Sequence, residues 1–147
     1  MQQRVLSTCI VVLALFTTAL LATAQQAPGK KMEAVKLTGA AEVPGPGDND
    51  GSGTATLTLN PEKGEVCYEL HVAKLQEATA AHIHTGAMGK EGPVAVGLEP
   101  PKAGAATGCK SADPSVIRTI MQNPENYYVN VHTTDFPKGA VRGQLTK

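Results

Sequence analysis

Apolar and polar residues alternate with a period of two along several short stretches of the chain, which is the pattern of half-buried β-strands. The clearest stretch is 54–59, where Ala55, Leu57 and Leu59 share one face and three threonines share the other. Weaker or shorter alternation recurs at 32–37, continued by 40–44, and at 65–73, 81–84, 94–98, 127–133 and 140–146. Turns containing glycine, proline or asparagine separate these stretches by about ten residues, which is typical of antiparallel β-sandwiches and barrels. The pattern therefore predicts an all-β fold, an antiparallel Greek-key sandwich or barrel.

One segment has a helical period instead. Val116, Ile117 and Ile120 form a single apolar stripe, at the spacing of one helix face. Asp113 stands before the stripe as an N-cap, and Pro114 fits the first helical position. The Asn-Pro pair that follows ends the pattern. We therefore expect one short helix that connects two strands.

The first 24 residues have the three parts of a secretory signal peptide. Arg4 is the positive charge, 6–21 is a mostly apolar run, and Ala22-Thr23-Ala24 is an A-x-A cleavage site. The apolar run is too short for a membrane helix, which needs about 20 residues. We therefore expect a secreted or periplasmic protein with no membrane span after cleavage, a flexible leader at 25–34 and one β domain at 35–147.

Charge and cysteine content narrow the class of protein further. Arg4 is the only charged residue of the signal peptide, so 12 of the 13 basic residues remain against 13 acidic ones. A nearly neutral domain lacks the basic surface that nucleic acid attracts, and we expect no nucleic-acid partner. Removal of the signal peptide leaves two of the three cysteines, Cys67 and Cys109. In an exported chain two cysteines favour one disulfide; two free thiols or a metal-ligating thiolate are the alternatives.

Three of the four histidines lie on the polar faces of predicted strands. His82 and His84 are two residues apart, so on a strand they point to the same side, about 6.5–7 Å from each other. His132 lies on the polar face of the strand at 127–133. Three imidazoles that converge from two strands are a ligand set that zinc and copper accept. The fourth histidine, His71, is expected to be an exposed strand residue.

A polar cluster without metal is the alternative for the same face. Asn130, Arg142 and Gln144 fall on the polar sides of their strands, as the three histidines do. Hydrogen-bonded together, these six side chains would fix the central strands and the loops that follow them. A metal-free ligand site or a hydrolytic site is the third interpretation, and it lacks support because no serine after the signal peptide stands in a nucleophile-elbow sequence.

A series of short segments runs in order through most of 35–147. They are Leu37-Thr38-Gly39, Glu42-Val43-Pro44, Gly53-Thr54-Ala55, 64–68, 80–84, Gly86, Gly92-Pro93, Cys109, 123–133 and 136–145. In these segments the chain resembles the CHRD domain, a module repeated in chordin and found singly in many bacterial secreted proteins. The resemblance implies a secreted β-sandwich or barrel of immunoglobulin-like architecture. It implies no particular activity, and the growth-factor partners of chordin are not expected because that role belongs to other domains of chordin.

The order of the histidines is also similar to that of the copper ligands in copper–zinc superoxide dismutases, which are Greek-key barrels with one disulfide. The arginine beside copper falls late in those chains, as Arg142 does here. The bridging histidine and the zinc-loop ligands of that family have no match. A complete dismutase site is therefore not expected.

These features favour a secreted module with a non-catalytic binding or structural role. Its partner would be an extracellular protein or a small ligand. The alternative is a metalloprotein that binds copper or zinc through a dismutase-like three-histidine site. Its ligands would be His82, His84 and His132.

Overall fold

The computed structural model describes residues 28–147, so the signal peptide predicted at 1–24 lies outside the described residues. The strands are β1 (Lys30–Lys31), β2 (Val35–Thr38), β3 (Ser52–Asn60), β4 (Glu65–Ala73), β5 (Ala78–Thr85), β6 (Val94–Leu98), β7 (Ala105–Ser111), β8 (Tyr127–Thr133) and β9 (Val141–Gln144). Helix α1 is Pro114–Gln122, and short 3-10 turns occupy Gly39–Ala41, Lys102–Gly104 and Pro124–Asn126. β1 falls within the predicted leader and pairs with β3. None of the helices in this part of the chain is long and apolar enough to cross a membrane.

The strands form one antiparallel sheet in the order β6-β5-β8-β9-β2-β3-β4-β7. Two of its pairs, β5 with β8 and β2 with β9, join strands far apart in the chain, as Greek-key connections do. The sheet curls until its edge strands approach each other. Glu99, directly after β6, forms an ion pair with Lys110 of β7, and the Glu99 amide donates a hydrogen bond of 3.1 Å to the Tyr68 hydroxyl of β4. The domain is therefore a nearly closed antiparallel barrel, and the prediction of an all-β fold is confirmed.

The core lies inside the barrel, on the faces that the alternation selected. In β3, Ala55, Leu57 and Leu59 are fully buried, while the threonines between them are more exposed. The other strands contribute Val35, Leu37, Val66, Tyr68, Leu70, Ala81, Ile83, Val129, Val131 and Val141. Burial of one aliphatic side chain stabilises a fold by about 1.5–3 kcal/mol. This interior is therefore the main source of stability.

The helix lies where the sequence predicts it. α1 begins at Pro114 after the N-cap Asp113, whose side chain accepts a hydrogen bond of 2.7 Å from the Ser115 amide. Ile117 and Ile120 of the apolar stripe are fully buried. Because α1 packs against β3 and β4, the stripe becomes part of the barrel core.

Replacing Asp113 by alanine is expected to destabilise the domain by about 1 kcal/mol, because the Ser115 amide loses its acceptor. Urea unfolding of Asp113→Ala and of the wild type measures this change. Asp113→Asn keeps a capping side chain and is the matched control, with little loss expected. Equal unfolding midpoints for all three proteins would show that the cap does not stabilise the helix.

The start of the domain differs from the strand predicted at 32–44. β2 ends at Thr38, and the chain then turns instead of continuing as a strand. Gly39 packs so closely on the following loop that a Cβ atom there would lie 1.8 Å from the Asp48 carbonyl oxygen. This contact holds the loop against the turn, and Glu42 within the loop is buried.

Cys67 of β4 and Cys109 of β7 lie directly opposite each other on neighbouring strands. Their sulfur atoms are 2.04 Å apart, so the predicted pair is joined as a disulfide. β7 is the neighbour of β4 in the same sheet and lies at its edge. The disulfide therefore ties an edge strand to the body of the barrel.

Candidate functional site

The predicted site residues lie on three neighbouring strands, at one face of the sheet. Antiparallel pairing forms two rows of side chains across β5, β8 and β9. The rows are His82–Asn130–Arg142 and His84–Tyr128–Gln144. His132 follows Asn130 by two residues on β8, so it points to the same face. The structure therefore brings together the six residues that the sequence selected for this face, and it adds Tyr128.

The three histidines converge. One ring nitrogen from each of His82, His84 and His132 lies within 4.8 Å of the other two. His82 Nδ1 and His132 Nε2 are 3.1 Å apart. Nitrogens bound to one zinc ion at 2.0–2.1 Å are about 3.4 Å from each other in tetrahedral geometry. The nitrogen–nitrogen distances of the triad therefore differ from those of a zinc site by at most about 1.5 Å.

Backbone carbonyl groups fix the protonation of two of these rings. His84 Nδ1 lies 3.0 Å from the Gly92 oxygen, and His132 Nδ1 lies 3.1 Å from the Pro137 oxygen. Because a carbonyl oxygen can only accept, each Nδ1 carries a proton, and in the neutral ring the lone pair is then on Nε2. His132 Nε2 then accepts a hydrogen bond from His82 Nδ1. A carbonyl acceptor on the far nitrogen is a usual outer-shell partner of a metal-bound histidine.

His84 Nε2 has an unusual environment. The atom is buried and has no hydrogen-bond partner among residues 28–147. Its ring stacks on Tyr128, with centroids 4.9 Å apart and an interplanar angle of 4°. A buried acceptor without a donor costs about 1–3 kcal/mol. Hydrogen bonds among residues 28–147 therefore do not account for this nitrogen.

His82 and His132 are placed where their rings stay neutral. Burial, followed by the neighbouring His132 and His84, lowers the pKa of His82 to about 4. Burial also lowers the pKa of His132, although its hydrogen bond to Pro137 acts in the opposite direction. Both rings are therefore neutral at pH 7, and neutral imidazole is the form that binds a metal ion.

Arg142 and Gln144 hold the loop at 86–93. Arg142 Nη2 donates to two carbonyl oxygens of this loop, at 2.8 and 3.2 Å, and Gln144 Nε2 donates to a third, at 2.8 Å. The same loop supplies the Gly92 oxygen that accepts from His84. These two side chains therefore fix the position of a loop that orients one of the histidines.

Glu42 also belongs to this face, although no sequence pattern indicated it as a site residue. Its carboxylate oxygens accept hydrogen bonds of 2.8 and 3.0 Å from Asn130 Nδ2, and only 7% of the residue is exposed. Burial raises the pKa of Glu42 to about 7, although Asn130, Arg142 and the Val43 amide lower it. Glu42 lies 88 residues from Asn130 in the chain, and no local pattern marks it. The one sequence feature that could have indicated it is the Glu42-Val43-Pro44 segment, which is among the segments that resemble the CHRD domain.

Two other groups of potential ligands lie outside the triad. His71 is exposed on β4, as predicted. Glu65 lies close to Cys67 and Cys109, but the two sulfurs are bonded to each other and offer no thiolate to a metal.

The CHRD domain model matches residues 34–145 of the chain. No curated protein and no solved structure matches the chain. The matched range contains almost the whole barrel and every residue of the site described above. The chain therefore belongs to the CHRD domain family, as its sequence resemblance predicted.

Proposed function

We propose that this CHRD domain is an exported, non-catalytic binding module whose three histidines hold one zinc or copper ion. The observation that carries the proposal is the buried His84 Nε2, which has no partner within residues 28–147. It belongs to a ring that converges with His82 and His132. Three imidazole nitrogen ligands suit zinc or copper, whereas calcium and magnesium take oxygen ligands.

The chain's own residues prepare this site. The Gly92 and Pro137 carbonyl groups hold the Nδ1 protons of His84 and His132, so both Nε2 lone pairs are available to an ion. His82 Nδ1 donates a hydrogen bond to His132 Nε2 in the structure. A metal ion would replace that hydrogen bond and leave the His82 proton on Nε2. Three protein ligands also leave a coordination position for water or a small molecule.

Export is supported by two independent features. The signal peptide predicted at 1–24 directs a chain out of the cytoplasm. The Cys67–Cys109 disulfide suits an oxidising compartment, since thiols stay reduced in the cytosol. An exported metal site would take its ion outside the cytoplasm.

Untagged protein that has been stripped of metal is expected to take up one zinc or copper ion per chain. The test is titration with each ion, then gel filtration and elemental analysis of the protein peak. Binding should not depend on free thiol groups or on an added reductant, because the ligands are imidazoles. Protein recovered without stoichiometric metal after loading with either ion would contradict the proposal.

A further inference from the structure

Arg142 is a buried cation without an ion pair. Only 2% of the residue is exposed, and no carboxylate of residues 28–147 forms an ion pair with it. The guanidinium carbon lies 3.4 Å from the centre of the Tyr128 ring. The hydrogen bonds that the guanidinium donates within residues 28–147 all use Nη2. Buried charges in proteins are normally paired, because an uncompensated charge loses its hydration. Nε and Nη1 therefore have no acceptor among residues 28–147, and since neither is a buried atom without a partner, both reach solvent.

The carboxyl groups of Glu42 and Glu91 both act electrostatically on Arg142, but neither forms an ion pair with it, so they compensate its charge only in part. Both Glu42 oxygens accept hydrogen bonds from Asn130. Burial holds the pKa of Glu42 at about 7, so the carboxyl group is ionised in only about half of the molecules at neutral pH. An anion from outside the chain would complete the neutralisation.

A cavity of about 370 Å³ lies beside Arg142. Its size falls within the range of sites for small organic molecules. Lys36 adds a second cation to the wall, Glu42 adds a carboxyl group, and the apolar part of the wall is Ala40, Ala41, Val43 and Met88. Met88 is 80% exposed, the most exposed large apolar side chain in the described part of the chain. The cavity thus combines two cations and an apolar surface with one carboxyl group, that of Glu42, whose pKa burial raises to about 7.

We infer that this cavity binds a small organic anion, a carboxylate carried on a short apolar body. Arginine presents its donors as a planar fork that matches a carboxylate. The carboxylate would lie against Arg142 and Lys36, and the apolar body against Met88. An inorganic oxyanion would leave the apolar wall unused. The inference does not depend on the metal site, although the loop at 86–93 borders both.

The test is an NMR titration of untagged, metal-free protein, carried out after the chelator has been removed. Hexanoate is the probe; hexanol has the same body without charge, and inorganic phosphate has charge without the body. Hexanoate is expected to give saturable amide shifts at Met88, Gly89 and Gly143, and to bind several-fold more tightly than either control. Phosphate binding as tight as hexanoate would overturn the organic ligand class. An absence of saturable shifts with hexanoate would overturn the site.

Variants of Lys36 test the location without disturbing the buried arginine. Lys36→Ala is expected to weaken hexanoate binding about two- to fivefold, the usual effect of one exposed charge, and Lys36→Glu should weaken it further. Lys63→Ala removes an exposed lysine from the β3–β4 turn and should bind as the wild type does. Arg142→Gln should abolish binding, provided that its spectrum shows a folded barrel. Wild-type affinity in Lys36→Glu would overturn the inference whatever the state of the Arg142 variant.

Discussion

Replacing His84 by alanine is expected to weaken zinc or copper binding by more than about 100-fold. Loss of an outer-shell partner alone typically costs about 10–100-fold in metal affinity, and loss of a ligand removes a direct bond. His84 also supplies the buried ring nitrogen that has no other partner among the described residues. His132→Ala should have an effect of similar size, because His132 Nε2 lies 3.1 Å from the ring nitrogen of His82. Competition with a chromophoric chelator measures both affinities.

His71→Ala is the matched control for these variants. It removes a histidine from β4, where the side chain is exposed and outside the triad. This variant is expected to bind metal with wild-type affinity. If His84→Ala also retained wild-type affinity, the ion would have to bind elsewhere and the three-histidine proposal would be wrong.

Thermal unfolding gives a second measurement of the same ligands. An ion that binds only the folded state stabilises it by about 2.7 kcal/mol at a free concentration 100 times its dissociation constant. The melting temperature of the wild type and of His71→Ala should therefore rise when zinc is added. His84→Ala and His132→Ala should show little change at the same concentration. A similar rise in all four proteins would show that stabilisation comes from metal bound at another place.

Local alternation was sufficient to predict which side chains share a face. On a strand, side-chain direction depends only on residue parity, so the common face of His82 and His84 follows from their spacing. The meeting of these residues with His132 depends on β5 and β8 being neighbours in the sheet. No periodicity records that neighbour relation, because long Greek-key connections set it. The sequence therefore predicted the members of the triad, but not the distances among them.

The covering of this face was harder to predict. Alternation describes β8 as a strand with one exposed face, yet Tyr128 and Asn130 are buried together with the core residues between them. The loop at 86–93 is held over the face by hydrogen bonds from Arg142 and Gln144. The loop that contains Glu42 reaches Asn130. Loops of this kind are placed by contacts between distant residues, and a short sequence window contains no record of such contacts.

Asn130 links the two halves of the face. It lies opposite His82 on one side and opposite Arg142 on the other, and its amide nitrogen is bound by Glu42. In the histidine half, the rings of His82 and His132 are neutral, whereas the arginine half has the positive charge of Arg142. The ionisation of Glu42 therefore most directly affects the half that contains Arg142. The pH dependence of the free energy of unfolding measures this effect.

Replacing Glu42 by glutamine is expected to remove a pH dependence of stability between about pH 5 and pH 8. Burial raises the pKa of Glu42 from 4.5 to about 7 in the folded protein. Between these values the folded state binds more protons than the unfolded state, so this group makes the wild type less stable as pH rises. The loss is complete above the folded pKa and amounts to on the order of 3 kcal/mol.

Glutamine has nearly the same size and cannot ionise. Glu42→Gln should therefore gain urea resistance relative to the wild type on going from pH 5 to pH 8. His82 acts in the opposite direction, since its pKa is lowered to about 4 and its contribution to stability grows as pH rises from 4 to above 6.5. His82 is present in both proteins, so its contribution cancels in their difference. Glu69→Gln, an exposed substitution on β4, is the control and should follow the wild type at both pH values. A difference between Glu42→Gln and the wild type that stays the same at pH 5 and pH 8 would mean that the buried carboxyl group ionises with an ordinary pKa.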